Sequence, residues 1–166
     1  MSKKSSRIIK LIILNGVFTF LLSMFVYPVY AQDSDLTGLW LTKKKDTVVK
    51  IEQCGDSLCG KIHWLAHDVV QKDSANPDKS LRERSLCGIE VLWGFEQNEN
   101  NPDLWEYGKI YKADDGKIFN ASLRLISKDK LKLRGYIGLP VFGKSHILSR
   151  TIQDEYQACQ ETKENL

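Results

Sequence analysis

The stretch KLKLRGYI, residues 130–137, decides the fold because its apolar and polar side chains alternate. It divides into an apolar and a polar face, namely Leu131, Leu133, Gly135 and Ile137 against Lys132, Arg134 and Tyr136. Successive side chains of a β-strand point to opposite faces. The stretch therefore predicts a strand with one face in a core and the other in water.

Working outward from this stretch, seven further segments are typical of strands. The eight predicted strands are 37–43, 47–54, 58–66, 87–97, 103–112, 117–127, 130–138 and 144–153. Most connections are short and rich in Gly, Asn, Asp or Pro, as β-hairpins require. We therefore expect an all-β fold, an eight-stranded up-and-down antiparallel barrel, which can enclose one small ligand.

The N-terminus has the order of regions found in an export signal. Four basic residues within the first ten precede an uncharged apolar run at 11–26, and Val29-Tyr30-Ala31 follows. This order predicts a signal peptide at 1–31 and a single barrel domain at 32–166, in the periplasm or secreted. An uncleaved membrane anchor is the alternative, because the apolar run approaches the roughly 20 residues that span a bilayer.

Net charge makes nucleic acid a poor partner. The whole chain carries +3, and removal of the four basic residues of the leader leaves −1. A nearly neutral domain offers little attraction to a phosphate backbone. We expect membrane contact only through the leader, if it stays uncleaved.

Four cysteines in an exported chain predict disulfides. Cys54 and Cys59 bracket a turn between two predicted strands, so they are placed to face each other across a hairpin. That pairing leaves Cys87 with Cys159, although three pairings are possible in principle and free buried thiols are the alternative. The spacing lacks the close cysteine pairs of a zinc site, so we expect no metal.

Gly38 and Trp40 open the first strand, and Arg150 lies near the end of the last. A Trp there can plug the closed end of a barrel, with Gly38 leaving room for the backbone and an Arg stacked on the indole. We expect a structural role for all three residues.

The longest connection contains DSANPDKSLRER, residues 73–84. Connections of this length are uncommon unless they form a lid or a binding loop. Asn76 and Asp78 miss the spacing of a known calcium loop, and Arg82 and Arg84 can pair either with Asp78 and Glu83 or with an anionic ligand. We expect these four residues to contribute to ligand binding at the barrel mouth, with the loop as a gate.

The histidines do not predict catalysis. His63 and His67 would lie about 13 Å apart along a strand, too far to share a metal. Ser145 and His146 are neighbours, so a strand points them to opposite faces and they cannot form a nucleophile–base pair. No catalytic residue and no cofactor is expected, and we expect the protein not to be an enzyme.

Five stretches, taken in order, carry a family resemblance. They are Gly38-Leu39-Trp40, CGDSLCGKI at 54–62, NPDKSLRERSLCG at 76–88, Trp105 with GKIYKADDGKIF at 108–119, and LRGYIGLPVFGKS at 133–145. Together they resemble the domain-of-unknown-function 2147 family of small exported bacterial proteins. The resemblance implies a lipocalin-like barrel without a settled activity, so it supplies no active-site residues. Leu148 stands where the family has Trp, which puts in doubt an aromatic contact from the last strand.

These observations favour a binding protein for a small apolar or amphipathic molecule in the bacterial envelope or outside the cell. Tyr111 and Tyr136 are candidates for polar ligand contacts at the mouth, because a phenol offers both a ring and a hydroxyl. The main alternative is an envelope interaction or structural module with a packed barrel and a protein or cell-wall partner. A third reading, a hydrolase or isomerase, would need convergent ionisable groups with shifted pKa values.

Overall fold

The computed structural model describes residues 36–67, 69 and 71–159. The predicted signal peptide at 1–31 therefore lies outside the described residues. Within the described part of the chain, no helix has the length and apolar character needed to cross a bilayer.

The described residues form a closed antiparallel barrel in which each strand pairs with its neighbours in sequence and β1 pairs with β8. The strands are β1 (Gly38–Leu41), β2 (Thr47–Cys54), β3 (Ser57–Leu65), β4 (Glu90–Asn98), β5 (Asn101–Lys112), β6 (Lys117–Ser127), β7 (Lys130–Tyr136) and β8 (Lys144–Thr151). Short 3-10 turns at Lys79–Leu81, Pro140–Phe142 and Gln153–Glu155 lie outside them. The predicted eight-stranded barrel is confirmed.

Five strand boundaries differ from the prediction by two or three residues, and two of these differences have clear local reasons. β4 begins at Glu90 instead of residue 87, because the Gly88 amide donates to the Ile62 carbonyl and Cys87 is bonded to Cys159. β7 ends at Tyr136 instead of residue 138, because Gly138 adopts a positive φ of 67° that turns the chain out of the sheet.

Trp40 and Arg150 close one end of the barrel. Trp40 is fully buried, and the Arg150 guanidinium lies 4.3 Å from its ring centroid. The same guanidinium donates to the carbonyls of Thr37 and Lys128, at 2.8 and 2.6 Å. A Cβ on Gly38 would approach Arg150 Nη1 to 3.1 Å, so the glycine leaves room for the arginine. The contact expected from the sequence is present.

The interior beside this closed end is filled by side chains. Phe95, Leu123 and Leu131 are almost fully buried, and Leu148 packs with them at 3% exposure. Gly108 lies directly under the Phe95 ring, where a Cβ would overlap it. Leu148 therefore fills the core at the position where the family resemblance had suggested a tryptophan.

The four cysteines form the two disulfides favoured from the sequence. Cys54–Cys59 spans the β2–β3 hairpin with a Cα–Cα distance of 5.8 Å. Cys87–Cys159 joins the long connection to the C-terminal segment, with a Cα–Cα distance of 5.5 Å. Trp64 stacks edge-on against Tyr156 of that segment, with ring centroids 4.9 Å apart. The C-terminal segment is thus held against β3.

Candidate functional site

The end of the barrel opposite Trp40 carries four connections, and we call this end the mouth. They are the β1–β2 turn at 42–46, the long loop at 66–89, the β5–β6 turn at 113–116 and the β7–β8 connection at 137–143. In this architecture the connections at the mouth surround whatever space the barrel interior leaves. A ligand-binding site is therefore expected at the mouth.

A buried polar cluster ties the long loop to β5. Asp73 is fully buried, and its carboxylate accepts hydrogen bonds from the Tyr111 hydroxyl and from Asn76 Nδ2, the latter at 2.7 Å. Arg84 donates to the same carboxylate through Nε and Nη2, at 2.9 and 2.7 Å. Two side chains of the long loop and one of β5 thus satisfy one buried charge, as a buried carboxylate requires.

The shifted pKa values of the cluster follow from these contacts. Burial acts to raise the pKa of Asp73, but the hydrogen bonds from Tyr111, Asn76 and Arg84 and the charge of Arg84 outweigh it, and the pKa lies below its ordinary value. Burial and the facing carboxylate raise the pKa of Tyr111 to about 12. Neither group exchanges its proton near neutral pH, so the cluster is suited to hold the loop and unsuited to acid–base catalysis.

The remaining predicted loop residues contact the loop itself. Arg82 Nε donates to the Asn76 carbonyl at 2.7 Å, and the Asp78 carboxylate accepts from the amide and hydroxyl of Ser80. Glu83 pairs with Lys72 at 2.6 Å. The expected arginine pairs with Asp78 and Glu83 were wrong, because Arg84 reaches the buried carboxylate of Asp73 instead.

The predicted mouth positions of Tyr111 and Tyr136 need correction. Lys109 lies on the outer face of the sheet, where its ammonium contacts Asn120. Tyr111 lies two positions further along β5 and is paired with Ile118. By strand alternation the Tyr111 side chain is also on the outer wall. Its hydroxyl already contacts Asp73 and Asn76.

The long loop therefore packs beside the barrel. A Cβ on Gly116 would overlap the Ala75 carbonyl, which shows how closely the loop lies against the β5–β6 turn. The expectation of a gate that hinges over the mouth is not supported by these contacts. Tyr136, for its part, lies two residues beyond Arg134 on the outer face of β7, beside Gly143.

Inside the mouth, three neighbouring inward-facing positions, Ile110, Phe119 and Gly135, are partly exposed, and we call them the cup. Ile110 is paired with Phe119, and both are partly exposed. Gly135 lies next to them, since a Cβ there would be 3.7 Å from Ile110 Cγ2 and 4.0 Å from Phe119 Cβ. One step deeper, Ala121 and Leu123 are completely buried. The exposed fraction of the inward-facing side chains on β5 and β6 thus rises towards the mouth.

His146 supplies a polar group at the rim of this cup. It is paired with Leu133, an inward-facing core residue, yet it is exposed. Ser145 beside it points outward and accepts a hydrogen bond from Arg134 Nη1 at 2.9 Å. The two neighbours thus lie on opposite faces, as expected from the sequence.

The one cluster of metal-ligand types among the described residues is Glu52 with Cys54 and Cys59. Both sulfurs are joined in a disulfide. A disulfide removes the thiolates that metals require, so only one carboxylate is left as a strong ligand. The cluster does not offer a metal site in this oxidation state.

Sequence reasoning overlooked the buried carboxylate and the cup. Nothing local marks Asp73 as buried, because its contact with Tyr111 spans 38 positions of sequence. Alternation on β5 and β6 could have assigned Ile110 and Phe119 to one inner face, but it could not have shown that they remain partly exposed.

Comparison with known proteins gives one family and one fold. A family model described as "Uncharacterized protein conserved in bacteria (DUF2147)" matches residues 38–150. A solved structure described as protein HP1028 from the human pathogen Helicobacter pylori, of the lipocalin family, is similar with a TM-score of 0.67 and 21% identity, covering 79% of this chain and 92% of that one. No curated protein matches. The likeness to the solved structure establishes a lipocalin-like fold.

Proposed function

The chain belongs to the DUF2147 family of uncharacterized bacterial proteins, and from its lipocalin-like barrel we propose that it binds a small apolar or amphipathic molecule in the cup at the mouth. The observation that carries the proposal is the gradient of exposure on the inner faces. Ile110 and Phe119 face inward yet remain partly exposed, whereas Ala121 and Leu123 below them are buried. Partly exposed apolar side chains in a concave setting are what a ligand of this class covers.

The rim chemistry favours an amphipathic ligand over a purely apolar one. His146 and Lys144 occupy inward positions on β8, paired with Leu133 and Gly135, and both are exposed. They lie on the inner face of β8, and Lys144 is paired with Gly135 of the cup. An apolar body would lie on Ile110 and Phe119 while a polar or anionic head contacts the imidazole and the ammonium.

We also propose that the protein binds without catalysing a reaction. Among the described residues, the buried groups with shifted pKa values are Asp73 and Tyr111, which satisfy each other on the outer wall. Turnover would need ionisable groups that converge on the ligand. Ser145 points away from His146 and towards Arg134, so these two side chains do not converge.

We place the protein in the periplasm or outside the cell, after removal of residues 1–31. Two disulfides support this, because disulfides persist in oxidising compartments. The leader's order of regions supports it too. Mass spectrometry of protein made with its leader tests the proposal, and a mature chain that retains residue 1 would contradict it.

A fluorescence titration tests the ligand proposal. The probe is an alkyl carboxylic acid carrying a dansyl group, which combines an apolar chain with an anion. We expect saturable one-to-one binding to the wild type and loss of that binding in Ile110→Trp, because the indole fills the cup. Native mass spectrometry of the same preparation would show any ligand that co-purifies.

The matched control is Ile118→Trp on the neighbouring strand. Ile118 is paired with Tyr111 on the outer face and is exposed, so the same indole there leaves the cup unchanged. Equal binding by both variants, or no saturable binding by the wild type, would contradict a ligand site in the cup. Circular dichroism must show that both variants are folded.

A second candidate, an envelope interaction module, is favoured by a separate observation. The connection at 137–143 exposes several large apolar side chains to solvent. Contiguous exposed apolar surface marks interaction sites in soluble proteins. The binding titration distinguishes the two candidates, since an interaction module needs no ligand in the cup.

A further inference from the structure

The β7–β8 connection, residues 137–143, is called here the tip segment, and it concentrates exposed apolar surface. Of the nine large hydrophobic side chains that are exposed among the described residues, four lie in it. They are Ile137, Leu139, Val141 and Phe142, at 64–79% exposure. Single exposed hydrophobic residues are ordinary, but four within six positions are not.

The backbone of the tip segment is held in place by hydrogen bonds from β7, while its apolar side chains stay exposed. Arg134 donates from Nε to the Pro140 carbonyl at 2.7 Å and from Nη2 to the Val141 carbonyl at 3.0 Å. The Gly143 amide donates to the Pro140 carbonyl at 3.0 Å, which closes a 3-10 turn. A Cβ on Gly143 would be 2.7 Å from the Gly135 carbonyl oxygen, so the base of the segment is tightly packed. The apolar side chains are therefore displayed by a braced turn.

Positive charge lies at the same end of the barrel. β1 pairs with β8, so the β1–β2 turn and the tip segment both lie at the mouth. The turn carries Lys43, Lys44 and Lys45, all exposed, and Lys144 directly follows the tip segment. Among the described residues these four lysines form no ion pair.

We propose that the mouth docks on a lipid bilayer that contains anionic headgroups. The tip segment inserts its apolar side chains into the interfacial region, and Lys43–Lys45 contact the headgroups. Shallow insertion of an apolar element flanked by lysines is the general physical basis of peripheral membrane binding. The expectation that the membrane is contacted only through the leader is replaced by this proposal.

The size of the tip segment favours a bilayer over a protein partner. A stable protein–protein interface takes about 20–30 residues from each side. The tip segment has only seven residues and contains one 3-10 turn. A bilayer accepts a segment this small, because the surrounding lipid closes around the side chains that insert.

Vesicle co-sedimentation tests the proposal on the exported, processed protein. The vesicles are phosphatidylcholine with and without phosphatidylglycerol. We expect binding to the anionic vesicles, weakened by salt, and a loss of at least about tenfold in Val141→Ser/Phe142→Ser, because the transferred apolar area is removed. Replacing Lys43, Lys44 and Lys45 together by Gln should weaken binding to the anionic vesicles and remove its salt dependence.

The matched control is Ile126→Ser. Ile126 is 55% exposed but lies beside the β6–β7 turn at the closed end, so its loss should leave vesicle binding unchanged. Equal loss in this variant would contradict docking through the mouth. Docking through the mouth would also be contradicted if Val141→Ser/Phe142→Ser bound vesicles as strongly as the wild type.

A position-specific readout keeps the test decisive even where another part of the chain contributes to binding. Lipids with brominated acyl chains should quench the tryptophan fluorescence of Phe142→Trp more strongly than that of the wild type. The control is Tyr107→Trp, at an outer strand position with 74% exposure, whose fluorescence should not show this additional quenching. Absence of excess quenching in Phe142→Trp overturns the proposal.

A concentration-dependent dimer that is lost in Val141→Ser/Phe142→Ser would also overturn the proposal, because the tip segment would then contact a second copy of the chain. Probe binding in the cup is a separate measurement, so the two proposals fail independently.

Discussion

Asp73 shows how a buried charge can be used to fix a loop. Its carboxylate is fully buried, and Tyr111, Asn76 and Arg84 all donate to it. The ion pair with Arg84 alone would not offset the loss of hydration, so the additional donors are needed. Removing any one donor leaves part of the carboxylate unsatisfied, which makes the cluster sensitive to single substitutions.

The first prediction concerns the hydroxyl of Tyr111. Tyr111→Phe keeps the ring but removes a donor to Asp73, and it should lower the free energy of unfolding by about 1–3 kcal/mol. Urea denaturation measures the change. Tyr107→Phe is the matched control, since Tyr107 is 74% exposed and should change stability little. Equal stability of Tyr111→Phe and the wild type would show that the hydrogen bond is not needed.

The second prediction concerns the pH dependence of stability. The pKa of Asp73 is lower in the folded state than its ordinary value, so its contribution is present above the unfolded pKa of about 3.9 and is lost as the pH falls through the folded value. Asp73→Asn should therefore destabilise the protein most at neutral pH and progressively less below about pH 4. Urea midpoints measured across this range test it. A constant difference at every pH would contradict the assignment.

At the scale of the elements, alternation along each strand was sufficient to predict the barrel. All eight strands occur where the pattern indicated, and every boundary agrees within three residues. The largest change, at the start of β4, comes from contacts with other parts of the chain, namely those of Cys87 with Cys159 and of Gly88 with Ile62. Local pattern cannot report such contacts.

The third prediction concerns the close approach of β4 and β5. Gly108→Ala should destabilise the protein by about 1–3 kcal/mol or more, because the new methyl overlaps the buried Phe95 ring. Gly135→Ala is the matched control on an inner face, where the Cβ would meet Ile110 at an ordinary 3.7 Å. It should be neutral or slightly stabilising, within about 1 kcal/mol. Thermal and urea unfolding of both variants tests the contrast, which similar stabilities would contradict.

At the scale of the whole molecule, the barrel has one packed end and one mouth. Trp40 and Arg150 seal the packed end. Cys54–Cys59 lies within the hydrogen-bonded β2–β3 hairpin, whereas Cys87–Cys159 joins the long loop to the C-terminal segment. Cys87–Cys159 spans 72 residues and so constrains most of the domain, whereas Cys54–Cys59 spans only five. The mouth combines the cup, the tip segment and the lysines.

The fourth prediction compares the two disulfides. The chain-entropy argument gives a stabilisation of about 4 kcal/mol for the long span and about 2 kcal/mol for the short one. The double variant Cys87→Ser/Cys159→Ser should therefore lose about twice as much stability as Cys54→Ser/Cys59→Ser. Urea unfolding under oxidising conditions measures both. A larger loss from the short-span pair would contradict the ranking.

The sequence by itself determined the barrel and the sealed end and favoured the cysteine pairing that the structure shows, because each depends on features that are local or repeated. Alternation reports which face a side chain occupies, the Cys54–Cys59 turn brings two strands together, and Trp40 with Arg150 marks the first and last strands. Only the tertiary structure decided that Tyr111 faces the outer wall and contacts Asp73, that Ile110 stays partly exposed inside the mouth, and that the tip segment is braced by Arg134. These features depend on which distant segments meet and on how much solvent reaches them, and neither quantity is encoded in a periodic pattern along one strand.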